Sequence, residues 1–87
     1  MKVAGTRKVL IQVKPAYPPL ARKGNLTGIV KLVATVAPEG SVVRTSVIGG
    51  NPVLVQAAID AVSKSRWQVA PEETKETIEI KFEPPSE

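Results

Sequence analysis

Apolar and polar residues alternate along three segments of this chain, and each alternation predicts a β-strand. Residues 77–83 alternate most regularly, with two isoleucines and a phenylalanine on the side that would face a core. Residues 28–37 carry apolar side chains at every even position from 30 to 36, which predicts a central strand. A weaker alternation over 8–14 predicts an N-terminal strand, which could join the sheet of its own molecule or of a neighbour.

Two predicted helices lie between these strands, and each begins at a residue that favours a helix start. Asn51 is the expected N-cap of a long, alanine-rich helix over 53–67, because its side chain can accept a hydrogen bond from the first turn. A short helix is expected to begin at Pro18 or Pro19, because the N–H that proline lacks has no hydrogen-bond partner in the first turn of a helix. The glycine or asparagine after residue 23 can end it in a left-handed conformation.

The order of these elements predicts the fold class. A tight turn at 38–40 joins the strand over 28–37 to a return strand over 41–48 as an antiparallel hairpin. We therefore expect an α+β, two-layer sandwich: an antiparallel sheet of three main strands, with the N-terminal strand as a candidate fourth, and one short and one long helix on one face. The predicted organisation is an N-terminal extension over 1–12, one domain over 13–83 and a tail over 84–87.

Composition argues against an enzyme. The 87 residues contain neither cysteine nor histidine, so disulfides, the usual general base and the commonest metal ligand are absent. The serines have no histidine to activate them, and we predict no catalytic residues, no metal and no cofactor. Nucleic acid is also disfavoured despite the net charge of +4, since there is one residue each of Trp, Tyr and Phe for stacking.

Short motifs follow one another along the chain in a fixed order. They are Tyr17, Pro18 and Ala21 in the first helix, Gly28 and Val30 at a strand start, Glu39-Gly40 and Gly49-Gly50 in turns, Leu54, Ala57 and Ala58 in the second helix, and Trp67 and Pro71 after it. In this order they resemble the C-terminal domain of TonB-like energy transducers over about residues 13–83. One departure from the family pattern is Val69, where members carry an aromatic residue after the tryptophan.

The resemblance implies a periplasmic peptide-binding domain that couples inner-membrane energy to outer-membrane transporters. Its last strand, as an exposed edge, would receive an N-terminal peptide segment of a transporter by β-strand addition. Inner-membrane motor proteins and a membrane anchor would act through regions outside this chain, and a homodimer is a further expected partner state. The candidate partner-binding residues are Lys14, Tyr17, Gln68, Val69, Ile78, Glu79, Ile80, Lys81 and Phe82.

A second interpretation of the same resemblance is a stand-alone periplasmic interaction or assembly domain without a force-coupling role. The two interpretations share the fold and differ in what precedes the domain in the gene. A membrane helix and a Pro-rich spacer would indicate the transducer, and a signal peptide alone would indicate the assembly domain.

Overall fold

The computed structural model of the chain describes residues 2–83, which form six strands and two helices. In chain order the elements are β1 (Lys2–Ala4), β2 (Val9–Ile11), α1 (Pro19–Lys23), β3 (Gly28–Val36), β4 (Val42–Gly49), α2 (Pro52–Lys64), β5 (Arg66–Trp67) and β6 (Thr74–Phe82). The predicted tail over 84–87 lies outside the described residues.

The main sheet has four antiparallel strands in the order β1-β6-β3-β4. Its centre is a continuous ladder between β3 and β6 that runs from Gly28 opposite Phe82 to Val36 opposite Thr74. The helix α2 packs on β3 and β4, and α1 packs on α2. The predicted fold class is therefore confirmed, with a fourth strand in the sheet.

The core lies between this sheet and the helices, and it uses the alternating positions that the sequence indicated. The even positions of β3 and β6 from 30 to 36 and from 76 to 82 are buried, and α2 contributes Leu54, Ala58 and Val62. Trp67 is 1% exposed and closes the core beyond the end of α2. Burying a large apolar side chain of this kind stabilises a fold by about 1.5–3 kcal/mol.

Both helix starts follow the sequence, whereas the end of the long helix does not. The side chain of Asn51 accepts a hydrogen bond of 2.9 Å from the Val53 N–H, and Pro18 precedes the first residue of α1. The long helix was predicted to continue to Trp67, but it ends at Lys64 because Ser65 is extended. Arg66 and Trp67 instead pair with β2 in a small second sheet.

The N-terminal region differs most from the prediction. The segment over 8–14 forms a strand only at Val9–Ile11, and that strand pairs with β5 of the same molecule rather than with the main sheet. The strand that joins the main sheet is β1, which was not predicted. Val3 lies opposite Ile78, and Lys2 lies opposite Glu79. The last strand also begins earlier than predicted, at Thr74.

Gly40 offers a test of how the turn between β3 and β4 supports Trp67. Gly40 has a φ of 100°, and a Cβ there would clash with the carbonyl oxygen of Trp67. We expect Gly40→Ala to lower the free energy of unfolding by about 2 kcal/mol or more, from strain and displacement combined. Urea denaturation followed by the fluorescence of the single tryptophan measures this.

Gly49→Ala is the matched control. A Cβ on Gly49 meets nothing within 4 Å, and its φ needs no glycine. Its unfolding free energy should stay within about 0.5 kcal/mol of the parent. Equal losses in the two variants would contradict the role given to Gly40.

Candidate functional site

The outer backbone edge of β6, on the side away from β3, is the part of the sheet where a further strand could bind. Its middle three residues are occupied, since β1 pairs with Thr77, Ile78 and Glu79. This corrects the expectation of a last strand exposed along its length. Among residues 2–83, no strand pairs with the outer edge over 80–82. At the Phe82 end of β6 the unpaired edge is therefore three residues long.

This unpaired edge forms one wall of a groove of about 380 Å³, here called the β6 groove. The opposite wall is the irregular segment between β2 and α1. The groove brings together five of the predicted residues: Lys14, Tyr17, Ile80, Lys81 and Phe82. It adds three that the sequence analysis missed, and these are Gln12, Pro15 and Glu83.

The segment that forms the opposite wall is held in place at both ends. The Val13 N–H donates a hydrogen bond of 3.2 Å to Oγ of Ser65, at the end of α2. At the other end, the Tyr17 hydroxyl lies 3.3 Å from the Ala21 carbonyl oxygen and also contacts the carbonyl oxygen of Leu26. Proline at position 15 further restricts the backbone between these contacts. The wall is thus ordered before any partner arrives.

The side chains around the β6 groove carry both signs of charge. Lys81 lies 2.9 Å from Glu83, and this hydrogen bond raises the pKa of the Lys81 ammonium above its usual value. On the outer face of the sheet, Glu79 lies 3.9 Å from Lys31 of the neighbouring strand. The groove itself adds a second cation, Lys14.

Gln68 and Val69 lie at the other end of the molecule. The Gln68 N–H donates to the Lys8 carbonyl oxygen, and Ala70 donates to Pro38 in the turn after β3. That turn adjoins the Thr74 end of β6, so Gln68 lies near the end of this strand that is farther from residues 80–82. Val69 is 71% exposed there. Neither residue lines the β6 groove, and neither do Ile78 and Glu79, which pair with β1.

A buried arginine that the sequence analysis missed holds this other end together. Arg7 is 7% exposed, and its guanidinium donates to four carbonyl oxygens from three separate segments. Its own N–H donates to Oε1 of the fully buried Glu76 at 3.2 Å. The four acceptors are Ala37 at 2.6 Å, Gln68 at 3.2 Å, Val36 at 3.1 Å and Glu72 at 2.5 Å.

Arg7 was missed because an arginine in a polar stretch has no periodic signal that distinguishes it from a surface residue. Four carbonyl oxygens meet at one guanidinium only through tertiary packing. Such a cation supplies donors to buried or half-buried backbone oxygens.

A second groove of about 380 Å³ lies between residues 13–18 and α2. Its floor includes the small side chains Ala57 and Ala61, and Lys14 borders it as well as the β6 groove. It contains no strand edge, so it offers side-chain contacts only. Within residues 2–83 no group of three or more acidic side chains could hold a metal ion.

The family comparison matches this arrangement of elements. The family described as "Gram-negative bacterial TonB protein C-terminal" matches residues 13–84. The chain belongs to this family. The match leaves out β1, β2 and Arg7, so the N-terminal strand and its arginine lie outside the part that defines the TonB C-terminal family.

A solved structure supports the same fold. The solution NMR structure of the Pseudomonas aeruginosa TonB C-terminal domain superposes with a TM-score of 0.74 and 22% sequence identity. The alignment covers 93% of this chain and 89% of that one. No curated protein sequence matches this chain. No helix among residues 2–83 has the length and apolar character needed to cross a membrane.

The Arg7 contacts generate a stability prediction. Arg7→Met keeps much of the side-chain volume and the backbone N–H that bonds to Glu76, but it removes the four hydrogen bonds that the guanidinium donates to carbonyl oxygens. We expect the free energy of unfolding to fall by about 3 kcal/mol, as measured by urea denaturation. Arg22→Met, on the exposed side of α1, should change it by less than about 0.5 kcal/mol. A small effect of Arg7→Met would show that the buried contacts are weaker than their geometry indicates.

Proposed function

We propose that this domain binds an extended peptide segment by β-strand addition at the unpaired edge of β6. The peptide would come from the N-terminal region of an outer-membrane transporter. The observation that supports this most directly is the β6 groove, which places an unpaired strand edge beside Lys14 and Tyr17. Membership in the TonB C-terminal family supports the choice of partner.

Strand addition suits this edge for a physical reason. The backbone N–H and C=O groups on an unpaired edge are donors and acceptors that a peptide backbone can satisfy. These contacts depend little on the peptide's sequence. The side chains of Lys14, Tyr17 and Lys81 would then supply specificity, because they border the space that the peptide occupies.

Family membership also supports a periplasmic location and a role in passing inner-membrane energy to the transporter. In this proposal the peptide contact is the point where force is applied. The antiparallel ladder between β3 and β6 would carry that force into the sheet, since it pairs β6 along all nine residues. The anchor and the contacts with motor proteins would belong to other parts of the protein.

A stand-alone periplasmic assembly domain is the alternative, and the opposite edge of the sheet favours it. Val43, Val47 and Ile48 on the edge strand β4 are exposed apolar residues. Such an edge can pair with a second copy, although register shifts near both ends of β4 oppose this. A monomer at all concentrations in sedimentation equilibrium would count against the homodimer and the assembly role.

The proposed function predicts which backbone NMR signals shift when a peptide binds. In a backbone NMR titration with synthetic peptides from the N-terminal segments of the same organism's outer-membrane transporters, we expect the largest shifts at 78–82 and near Tyr17. Shifts should be small at Gln68 and Val69, which lie at the other end of β6. A folded sample that shows no shifts with any peptide would favour the assembly domain instead.

The charge of the groove gives a second prediction. Lys14→Glu should weaken binding of an acidic transporter peptide about five-fold at low salt, the effect of about 1 kcal/mol at a partly exposed site. The loss should shrink at high salt. Lys8→Glu makes the same charge change outside the groove, and in about 0.15 M salt, where the Debye length is about 8 Å, it should leave the affinity within about two-fold. Equal losses in both variants, measured by calorimetry, would contradict binding in the β6 groove.

A further inference from the structure

The outer edge of β6 can accept a strand over six residues, from 77 to 82. Its first three residues already hold β1, and its last three face the β6 groove. The pairing is antiparallel, with Lys2 opposite Glu79 and Ala4 opposite Thr77. A strand laid antiparallel on 80–82 would therefore run directly into the N-terminal end of β1.

This geometry creates a conflict between β1 and any partner strand of ordinary length. Strands in proteins are commonly five or six residues long, and a three-residue contact is a short one. A peptide that pairs with more than residues 80–82 needs the positions that β1 holds. Either the peptide pairs with only three residues of β6, or β1 detaches from β6.

Contacts that hold β1 itself are few. Val3 is half-buried against the core, while Lys2 and Ala4 are exposed. The contacts that hold the chain behind β1 are much stronger, because Arg7 makes five buried or half-buried hydrogen bonds. None of these five involves β1. The strand can therefore detach while the Arg7 contacts stay intact, as expected for a segment of low local stability.

Between β1 and Arg7 the chain has a natural hinge. Residues 5–7 form bends rather than strand. A Cβ on Gly5 would clash with the Glu76 carboxylate, so a larger residue could pass this point only if the buried Glu76 side chain moved. The hinge lies directly between the weakly held strand and the strongly held arginine.

From these observations we infer that 77–82 is one continuous acceptor edge, and that β1 is its resident strand, which an incoming partner strand displaces. The inference rests on the proposed function in one respect, since it assigns a regulator to the same peptide site. It goes further in assigning β1 to that site and in defining the partner's sequence pattern.

The register of β1 supplies this pattern. Val3 packs on the core side opposite Ile78, and Lys2 lies on the outer side opposite Glu79. Continuing the same register, a partner strand places apolar residues opposite Ile80 and Phe82, and an acidic residue opposite Lys81. Read from its N-terminus, the partner is apolar, acidic, apolar, basic, apolar, small. Cross-strand pairs of this kind stabilise a sheet, and like charges placed opposite each other destabilise it.

A synthetic peptide, Leu-Asp-Val-Lys-Val-Ala with blocked ends, provides the probe. Its last three residues repeat Lys2–Ala4, and its first three lie opposite 80–82. The control peptide exchanges its aspartate and lysine, which places like charges opposite Lys81 and Glu79. We expect the control to bind about ten-fold more weakly to the same protein.

The displacement is tested by locking β1 in place. Ala4→Cys with Thr77→Cys puts two thiols opposite each other, in a chain with no other cysteine. Reduced and oxidised forms of this one protein are then compared in calorimetry with the same peptide. We expect about ten-fold weaker binding, or none, in the oxidised form, because the lock removes the open state that the peptide needs. Equal affinities in the two forms, or no binding to the reduced form, would overturn the inference.

Amide hydrogen exchange on the unmodified chain tests the same inference without a ligand. The β1 amides that donate to β6 should exchange at least about ten-fold faster than those in the β3–β6 ladder, since β1 opens locally and the ladder opens with the whole fold. Protection of β1 equal to that of the ladder would overturn the inference.

If transporter peptides fail to bind while the designed peptide and the exchange data behave as expected, the proposed function fails and the inference that β1 is a displaceable resident strand stands. If transporter peptides bind the locked and unlocked forms equally, the inference about β1 fails and the proposed function stands.

Discussion

The antiparallel ladder between β3 and β6 is the interaction on which the rest of this structure depends. Because every residue of β6 has a partner in β3, the hydrogen-bonding groups on that side are used, and those on the other side define the outer edge. The same register turns Ile78 and Ile80 toward the core. A slip of one residue would expose both and bury Glu79 and Lys81. The core and the candidate binding edge are thus set by one pairing.

The ends of this ladder have different roles. At the Thr74 end, Arg7 joins the end of β3, the turn after it and the loop before β6 through buried hydrogen bonds. At the Phe82 end, the strand faces a groove whose opposite wall is held by separate contacts of Val13 and Tyr17. Because the stabilising contacts and the groove are at opposite ends, a strand can be gained or lost near the groove without disturbing the Arg7 contacts.

Much of the fold could be predicted because its signals are local. The period of two over 77–83 indicated both the last strand and its buried face, and Asn51 indicated the start of α2. The end of α2 was wrong because Trp67 continues the apolar pattern of the helix. Trp67 belongs to a strand only because Val9, far away in sequence, pairs with it. Of the nine candidate site residues, Lys14, Tyr17 and 80–82 meet in one groove, while Gln68 and Val69 do not.

By itself the sequence determined the strands of the central ladder, the hairpin, both helix starts, the apolar faces and the family, because these follow from the spacing of residues close together in the chain. Only the tertiary structure decided that Lys2–Ala4 covers the middle of the outer edge of β6, that Arg7 is buried, and that Gln68 does not line the groove. A three-residue strand with one apolar residue has no periodicity to detect, and a buried arginine looks like a surface one. Their places arise from the need to give every buried backbone group a hydrogen-bond partner, and those partners come from distant parts of the chain.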